Sequence, residues 1–429
     1  MIMPNCFILS GEAINMYRSD DYGRNFSPVF IPSGISNSNA FITPFVLWES
    51  FNNQNSRDSV TFTAEKDYGA GDTVIVLSAN NSVPFTWITP SWISKGEEIK
   101  VKDIVSARFF LPVQNAVYMT SQVLDFTKEP TFYKIAAIQG IPMCIAYSSD
   151  ANYIFLGTED GNVYRIANVA LAYNAETADI NSNTCIIATS TVATFPGRSI
   201  TSISVDPNNH EHVVITLGNY GNTNYVYRAT NAIDSLPTFV SIQGNLPKMP
   251  VYSSLIELNS SERILLGTEF GIWSTDNAGK STEWINENEG MGNVPVFMLK
   301  QQRLGKYPIS NYGVIYAATH GRGLFQSVDF VGIDDFQDPS SVIAETIHIY
   351  PNPASDKINI TYKVDNQASI SLEIYDLNGH KVLNAIPLSQ VPAGEYSHAI
   401  PTDDLKSGTY VLILRSGALV KTSKFIIMR

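Results

Sequence analysis

"NYIFLGTEDGNVY" (residues 152–164) decides the fold. Tyr-Ile-Phe-Leu runs as a β-prone strand into Gly157, Thr-Glu-Asp-Gly turns the chain, and a second apolar strand leaves. The same strand, tight turn and strand recur in "EHVVITLGNYG" (211–221), "RILLGTEFGIW" (263–273) and "GVIYAATHGRGLF" (313–325). Aligned on Gly157, Gly218, Gly267 and Ala318, the copies are spaced by about 50 to 60 residues, the period of a β-propeller blade. An opening strand precedes the later copies ("SITSISVDP", 199–207; "VYSSLIELN", 251–259; "VPVFMLKQQ", 294–302) and a closing strand follows, so four antiparallel strands make one repeat.

A lone four-stranded blade cannot bury both faces, so the repeats are expected to stack side by side. Related units at 5–30 and 108–137 bring the count to about five complete or partial blades, with an incomplete one ending near Phe330. "CFILSG" already reads as a second strand, so the propeller is expected to be incomplete at its N-terminus, with further blades and a signal peptide upstream. Residues from about 40 to 107 depart from the repeat. Their alternation and their turns at 69–72 and 94–97 read as a β-rich insertion between two blades, of the kind that carries binding specificity. The expected class is all-β: a partial β-propeller of four-stranded blades with a β-rich insertion over residues 1–330, a linker over 331–344, and a small Ig-like seven-stranded β-sandwich over 345–429.

The formal net charge of −12, with no run of Lys and Arg, argues against nucleic acid as a partner. From Glu345 onward eight acidic side chains balance eight basic ones, so the excess negative charge lies upstream. No apolar stretch has the ~20 residues of a membrane-spanning helix. Cys6, Cys144 and Cys185 form no CxxC pair, so buried small apolar roles are expected, with a Cys144/Cys185 disulfide as the alternative. The sequence supplies no cofactor motif and no metal-ligand set. His210-Glu211-His212 sits in a turn with no third ligand in view.

Three stretches of the last 85 residues, "IYPNPASDKINI" (349–360), "LEIYDLNGHKV" (372–382) and "LKSGTYVLILRSGALVKTSKFIIMR" (405–429), resemble in order the type A C-terminal sorting domain of the type IX secretion system of the Bacteroidota. Pro351 and Pro353 block strand continuation, Gly379 completes a hairpin turn after Asn378, Gly408 opens a strand, and Lys421 and Lys424 offer charge to solvent or a receptor. The resemblance implies a cargo that is secreted or held at the outer-membrane cell surface, with the type IX secretion machinery as its partner.

"SDDYGRNF" (19–26) is similar to the Asp-box of bacterial neuraminidase-repeat propellers, in Ser19, Asp21, Gly23 and Phe26. A degenerate copy follows at Ser274, Asp276, Gly279 and Trp284, with Trp284 two residues late. The resemblance makes these residues structural. Asp21 is to accept hydrogen bonds from turn amides, Gly23 to take a positive φ, and Phe26 to pack between blades. Asp-boxes join the third and fourth strands of a blade, so ligands are expected at the opposite end, where the turns carry Glu159, Asp160, Glu269, His320 and Arg322. A glycan or surface-protein ligand is the expected partner. The alternative is a polysaccharide-degrading glycoside hydrolase with a sialidase- or xyloglucanase-like propeller, for which Glu159 and Glu269 are the available carboxylates. A sialidase grips its substrate with an arginine cluster, and only Arg322 and Arg165 fall near these turns, so binding without catalysis is favoured.

Overall fold

The computed structural model describes residues 3, 5–12, 14–29, 41–53, 56, 58–79, 82–127, 129–172, 186–279, 281–303, 311–327, 347–364, 368–376, 381–392, 394–403, 405–416 and 419–429. It divides into two compact units, Met1–Phe330 and Val331–Arg429. Strands and one 3₁₀ turn, Val169–Ala172, are the regular elements, with no α-helix among the described residues.

The first unit is a succession of antiparallel meanders. A three-stranded sheet (Phe7–Ser10, Met16–Ser19, Ser27–Pro28) is followed by four four-stranded sheets and a second three-stranded one (Val296–Gln301, Ile315–Thr319, Gly323–Gln326). Sheets 142–194, 200–241 and 251–286 run in simple chain order. The second strands, Ile154–Thr158 and Val213–Leu217, are buried at every position, which is why they read as unbroken apolar runs.

Burial on both faces follows from what lies between sheets. One apolar cluster joins 142–194 to 200–241 through Phe155, Val163, Ile200 and Ile215, the next joins 200–241 to 251–286 through Val214, Tyr225, Ile264 and Trp284, and a third joins 251–286 to 296–326 through Leu265, Val296 and Leu299. Each sheet is thus covered by its successor. This is a β-propeller-like all-β fold.

The repeat glycines make that stacking close. A Cβ on Gly267 would stand 2.6 Å from Val296 O in the next sheet, and one on Gly157 would meet Ile200 of the next sheet and Cys144 Sγ at 2.8 Å. Buried arginines add polar staples. Arg18 donates to the carbonyls of Val123 and Asp125, both at 2.9 Å, and Arg165 to those of Ala232 at 2.8 Å and Asp234 at 2.6 Å. In both cases the guanidinium reaches from its own sheet to carbonyls of the one that follows. Arg165 is therefore spent on structure and is not free to grip a ligand carboxylate.

The extra β-rich segment sits elsewhere than the alternation suggests. Val46–Ser50 pairs with Ser106–Val113 and forms one sheet with Ala116–Thr120 and Tyr133–Ala137, so residues 51–105 leave that sheet between its first and second strands. They form two hairpin-like pairs, Ser59–Thr63 with Glu98–Lys102 and Thr73–Leu77 with Pro84–Ile88, around Val74, Val76, Phe85, Val101 and Val105. Buried Arg108 anchors the segment, with Nη2 3.3 Å from Asp58 Oδ2.

The second unit holds two sheets that share one core. His348–Tyr350, Lys357–Val364 and Gly394–Pro401 make the first, and Lys381–Val391, Ala368–Asp376, Gly408–Ser416 and Leu419–Ile427 the second. Alternate residues Ile358, Ile360, Tyr362 and Val364 point inward against Leu372, Ile374, Leu412, Leu414 and Phe425.

Candidate functional site

The first strands of successive meanders, Pro142–Tyr147, Ile200–Val205, Val251–Glu257 and Val296–Gln301, line a central cavity of about 590 Å³ together with residues 42–47 and Ser10. Each of these strands carries a register shift at its second residue: between Pro142 and Cys144, Ile200 and Ser202, Val251 and Ser253, and Val296 and Met298. A bulge re-aims the extra residue. The four extra residues, Met143, Thr201, Tyr252 and Phe297, all face the cavity. They stand at the end where the second strand turns into the third, and so form the mouth of the channel.

Two of the sequence-expected residues meet there. The Tyr252 hydroxyl donates to the Glu269 carboxylate, and the same carboxylate raises the pKa of nearby Tyr220. Tyr252 packs edge-on against Phe297 with ring centroids 5.0 Å apart, and Phe297 meets the His320 ring at 5.5 Å. Glu269 and His320 are thus linked through an aromatic pair, with Phe297 still 50% and Tyr220 69% exposed. Burial together with the adjacent carboxylate raises the pKa of Tyr252, so its hydroxyl stays a donor.

The other expected residues are occupied locally. Asp160 accepts from Thr158 Oγ1 at 2.5 Å and Asn162 Nδ2 at 3.0 Å, closing its own turn. Glu159 is exposed beside it, on a sheet separated from that of Glu269 by the intervening 200–241 sheet. Arg322 Nη1 donates to Met291 O at 2.8 Å, which ties its turn to the preceding loop.

At 19–26 the turn is self-contained. Asp21 Oδ1 accepts from the amides of Arg24 at 3.0 Å and Asn25 at 2.9 Å and from Ser19 Oγ at 2.8 Å, while Asn25 Nδ2 donates to Oδ2 at 2.6 Å. These bonds lower the Asp21 pKa to about 2. Gly23 has φ +76°. Phe26 does not pack between sheets: it lies 41% exposed over its own turn, near Gly23. The later copy differs more. Asp276 Oδ1 pairs with Arg263 Nη1 at 3.0 Å instead of capping turn amides, and Ser274 Oγ donates to Glu287 at 2.6 Å. The two-residue delay moves Trp284 into the core, where Nε1 donates to Ile242 O at 2.9 Å, and Gly279 O accepts from Thr282 Oγ1 at 2.5 Å.

His210 and His212 point apart. His210 Nε2 bonds Ser149 Oγ at 2.8 Å, and His212 Nδ1 lies 3.5 Å from Asp206. No group of three His, Cys, Asp or Glu fit to hold a metal occurs among the described residues. Cys144 is a free thiol in the channel wall, 3.5 Å from Ile200 O, and burial pushes its pKa up to about 12. Cys185 lies outside the described residues.

In the second unit, the loop holding Pro351 and Pro353 is bound to the last strand. Asn352 Oδ1 accepts from Ile426 N at 2.9 Å, and the Ala354 amide donates to Ile426 O at 2.9 Å. Gly408 pairs with Ile427 and opens its strand; Lys421 and Lys424 lie on the facing strand, with Lys424 exposed. Gly379 lies outside the described residues.

Residues 348–428 match the family described as the secretion system C-terminal sorting domain. The chain carries a sorting tail. With that type IX tail the protein is secreted or attached at the outer-membrane surface. The sorting signal implies an interaction with the secretion machinery, and no described helix is long and apolar enough to cross a membrane. No curated protein sequence matches the chain significantly. Solved structures similar to it include PorZ, an essential bacterial surface component of the type IX secretion system of Porphyromonas gingivalis, at 14% identity and TM-score 0.37 over 99% of this chain and 58% of that one. A GH74 xyloglucanase from Xanthomonas campestris matches at 12% identity and TM-score 0.40, over 75% and 41% of the respective chains. The β-propeller domain of Cps50 (Swd1) from Myceliophteria thermophila matches at 9% identity and TM-score 0.37, over 86% and 99%. The chain therefore spans less than two thirds of the first two.

Proposed function

We propose that this protein is an exported binding module: an Asp-box-type β-propeller, displayed or released by an Ig-like sorting domain over 345–429, that holds a glycan at its channel mouth. The six sheets of the first unit are then its blades, the first and last with three strands each. The observation that carries the reading is the bulge shared by the four opening strands between Pro142 and Gln301, which brings Tyr252 and Phe297 to the mouth beside Glu269 and His320. Aromatic faces suit the apolar faces of sugar rings, and a carboxylate held by the Tyr252 hydroxyl suits hydroxyl donors. Glycoside hydrolysis needs a second carboxylate about 5 to 10 Å from the first. Of the other turn acids, Asp160 is engaged in its own turn and Glu159 lies on a sheet separated from that of Glu269 by the 200–241 sheet, which favours binding over turnover.

The test is a glycan array probed with the full chain, run beside an assay for released reducing sugar. Retention on defined glycans without turnover supports the reading. Sugar release abolished by Glu269→Gln would replace it with the hydrolase. Export is tested separately by deleting residues 347–429: undiminished cell-surface protein would remove the sorting role.

A further inference from the structure

The channel changes character along its length. Phe297 stands at the mouth, and Lys300, three residues further along the same strand, lies about 10 Å deeper at ~3.3 Å per residue. The register shift at Met298 puts Met298 and Lys300 on the cavity side while Leu299 and Gln301 are buried on the other. Arg303 follows just beyond the strand and also lines the cavity. One end of the channel is therefore aromatic and the other cationic.

Neither Lys300 nor Arg303 makes a hydrogen bond or ion pair to any described residue, and none of the residues lining the cavity is Asp or Glu. The carboxylate whose field reaches Arg303, Asp206, is buried outside the cavity lining; its Oδ1 accepts from the Asn208 amide at 2.8 Å, and its Oδ2 lies 3.5 Å from His212 Nδ1. Polar neighbours on the wall are used as well: Ser204 Oγ donates to Ser254 O at 2.8 Å, Tyr147 to Leu47 O at 3.3 Å, and Gln301 Nε2 to Gly313 O at 3.0 Å. Desolvation, and then the charge of Arg303, lower the pKa of Lys300. Lys300 is exposed and Arg303 half-buried, so both charges stay open to whatever enters the channel, and two like charges set near each other favour an anion between them. A chain with net charge −12 has carboxylates to spare, yet no described carboxylate forms an ion pair with either residue, and Asp206 reaches Arg303 only through its field.

We propose that this end of the channel is a binding site for a small organic anion, its carboxylate or phosphate group seated between Lys300 and Arg303. The planar fork of an arginine and the point charge of a lysine together match either group. The site is distinct from the aromatic mouth and does not depend on the glycan reading.

The experiment is isothermal titration of the full chain with inorganic phosphate and, separately, with citrate, against sodium chloride matched for ionic strength. Saturable binding of either anion is expected, weakened at least tenfold by Lys300→Met or Arg303→Met and abolished in the double variant. Because the double variant removes two like charges from a confined space, its melting temperature is expected to equal or exceed that of the wild type. Should it fail to fold, Lys300→Gln and Arg303→Gln singly carry the test. Binding of phosphate alone or citrate alone supports the site and fixes its ligand chemistry. Equal binding by wild type and variants, or no saturable heat beyond the chloride control, overturns it.

Discussion

Arg228 crosses from one sheet to the next to meet Glu262, with Nη2 2.7 Å from Oε1 and Nη1 2.8 Å from Oε2. The guanidinium is buried and also donates to the carbonyls of Ala278 and of Ser261, the latter at 3.2 Å, whereas the Glu262 side chain is about half exposed. The two partners should therefore not be equivalent. Arg228→Ala leaves buried carbonyls without a donor and opens a void between sheets, and is expected to cost about 2 to 4 kcal/mol in urea unfolding. Glu262→Gln loses only a partly exposed pair and should cost less than about 1 kcal/mol. Equal losses would show that the ion pair, and not the carbonyl contacts, holds these sheets together.

Asp21 and Asp20 are adjacent, yet only Asp21 closes the turn. Its hydrogen bonds favour the charged form and lower its pKa from 3.8 to about 2, so its contribution is fully present above the unfolded value and is lost as the pH falls through about 2. A carboxyl-carbon NMR titration should place the Asp21 midpoint near 2. Asp21→Ala should speed amide exchange at Arg24 and Asn25, while Asp20→Ala leaves those amides protected. A midpoint near the unperturbed value would remove the capping role.

Gly157 is required by its neighbours and not by its backbone angle. A methyl group there enters the space of Ile200 and stands 2.8 Å from Cys144 Sγ, so Gly157→Ala should destabilise by about 1 to 3 kcal/mol through overpacking. At the matching position Gly218, the nearest atom is Thr201 Cγ2 at 3.1 Å, the far end of a small side chain. Gly218→Ala should cost clearly less. Chemical denaturation of the two variants side by side is the check.

The all-β class and the repeat are legible because strand burial and turn chemistry leave local signals: "IFLG" (154–157) and "ILLG" (264–267) are apolar throughout since sheets cover both their faces. The sorting tail is legible through its ordered motifs. The channel mouth is not. Alternation with period two assigns Tyr252 and Phe297 to a face, but a bulge adds one residue and leaves no composition signature, so the second position of "VYSS" and "VFML" looks unremarkable until the opening strands are aligned with one another. Lys300 reads as an ordinary outward lysine, because only the packing of sheet on sheet makes its outward side a channel. Conversely Asp160 and Arg322 look available in sequence, and local hydrogen bonds consume them.

If the mouth binds sugar, its aromatic residues should dominate the affinity. Phe297→Ala and Tyr252→Ala are each expected to weaken glycan binding tenfold or more, since buried aromatic anchors carry most of such interfaces. Tyr252→Phe keeps the ring and loses only the hydroxyl given to Glu269. It should retain most of the affinity, measured by titration with the best array hit. Equal loss for Phe and Ala would shift the role from the ring to the hydrogen bond.

Arg429 closes the second unit by joining its last strand to two loops. Its guanidinium donates to Ser355 O at 3.2 Å, Asp403 O at 2.9 Å and Thr402 O, and its amide donates to Ser407 Oγ at 3.1 Å. Water can replace most of these exposed contacts, so Arg429→Ala should cost only about 1 kcal/mol of tail stability. Removing residues 426–429 is different in kind. It takes Ile427 out of the core and breaks the bonds between Ala354 N and Ile426 O at 2.9 Å and between Met428 N and Ala354 O at 2.8 Å. That truncation should unfold the tail and retain the protein inside the cell, while the first unit keeps its melting transition. Fractionation of cells expressing each form gives the answer: export of the truncated form at the level of Arg429→Ala would show that the last strand is dispensable for sorting.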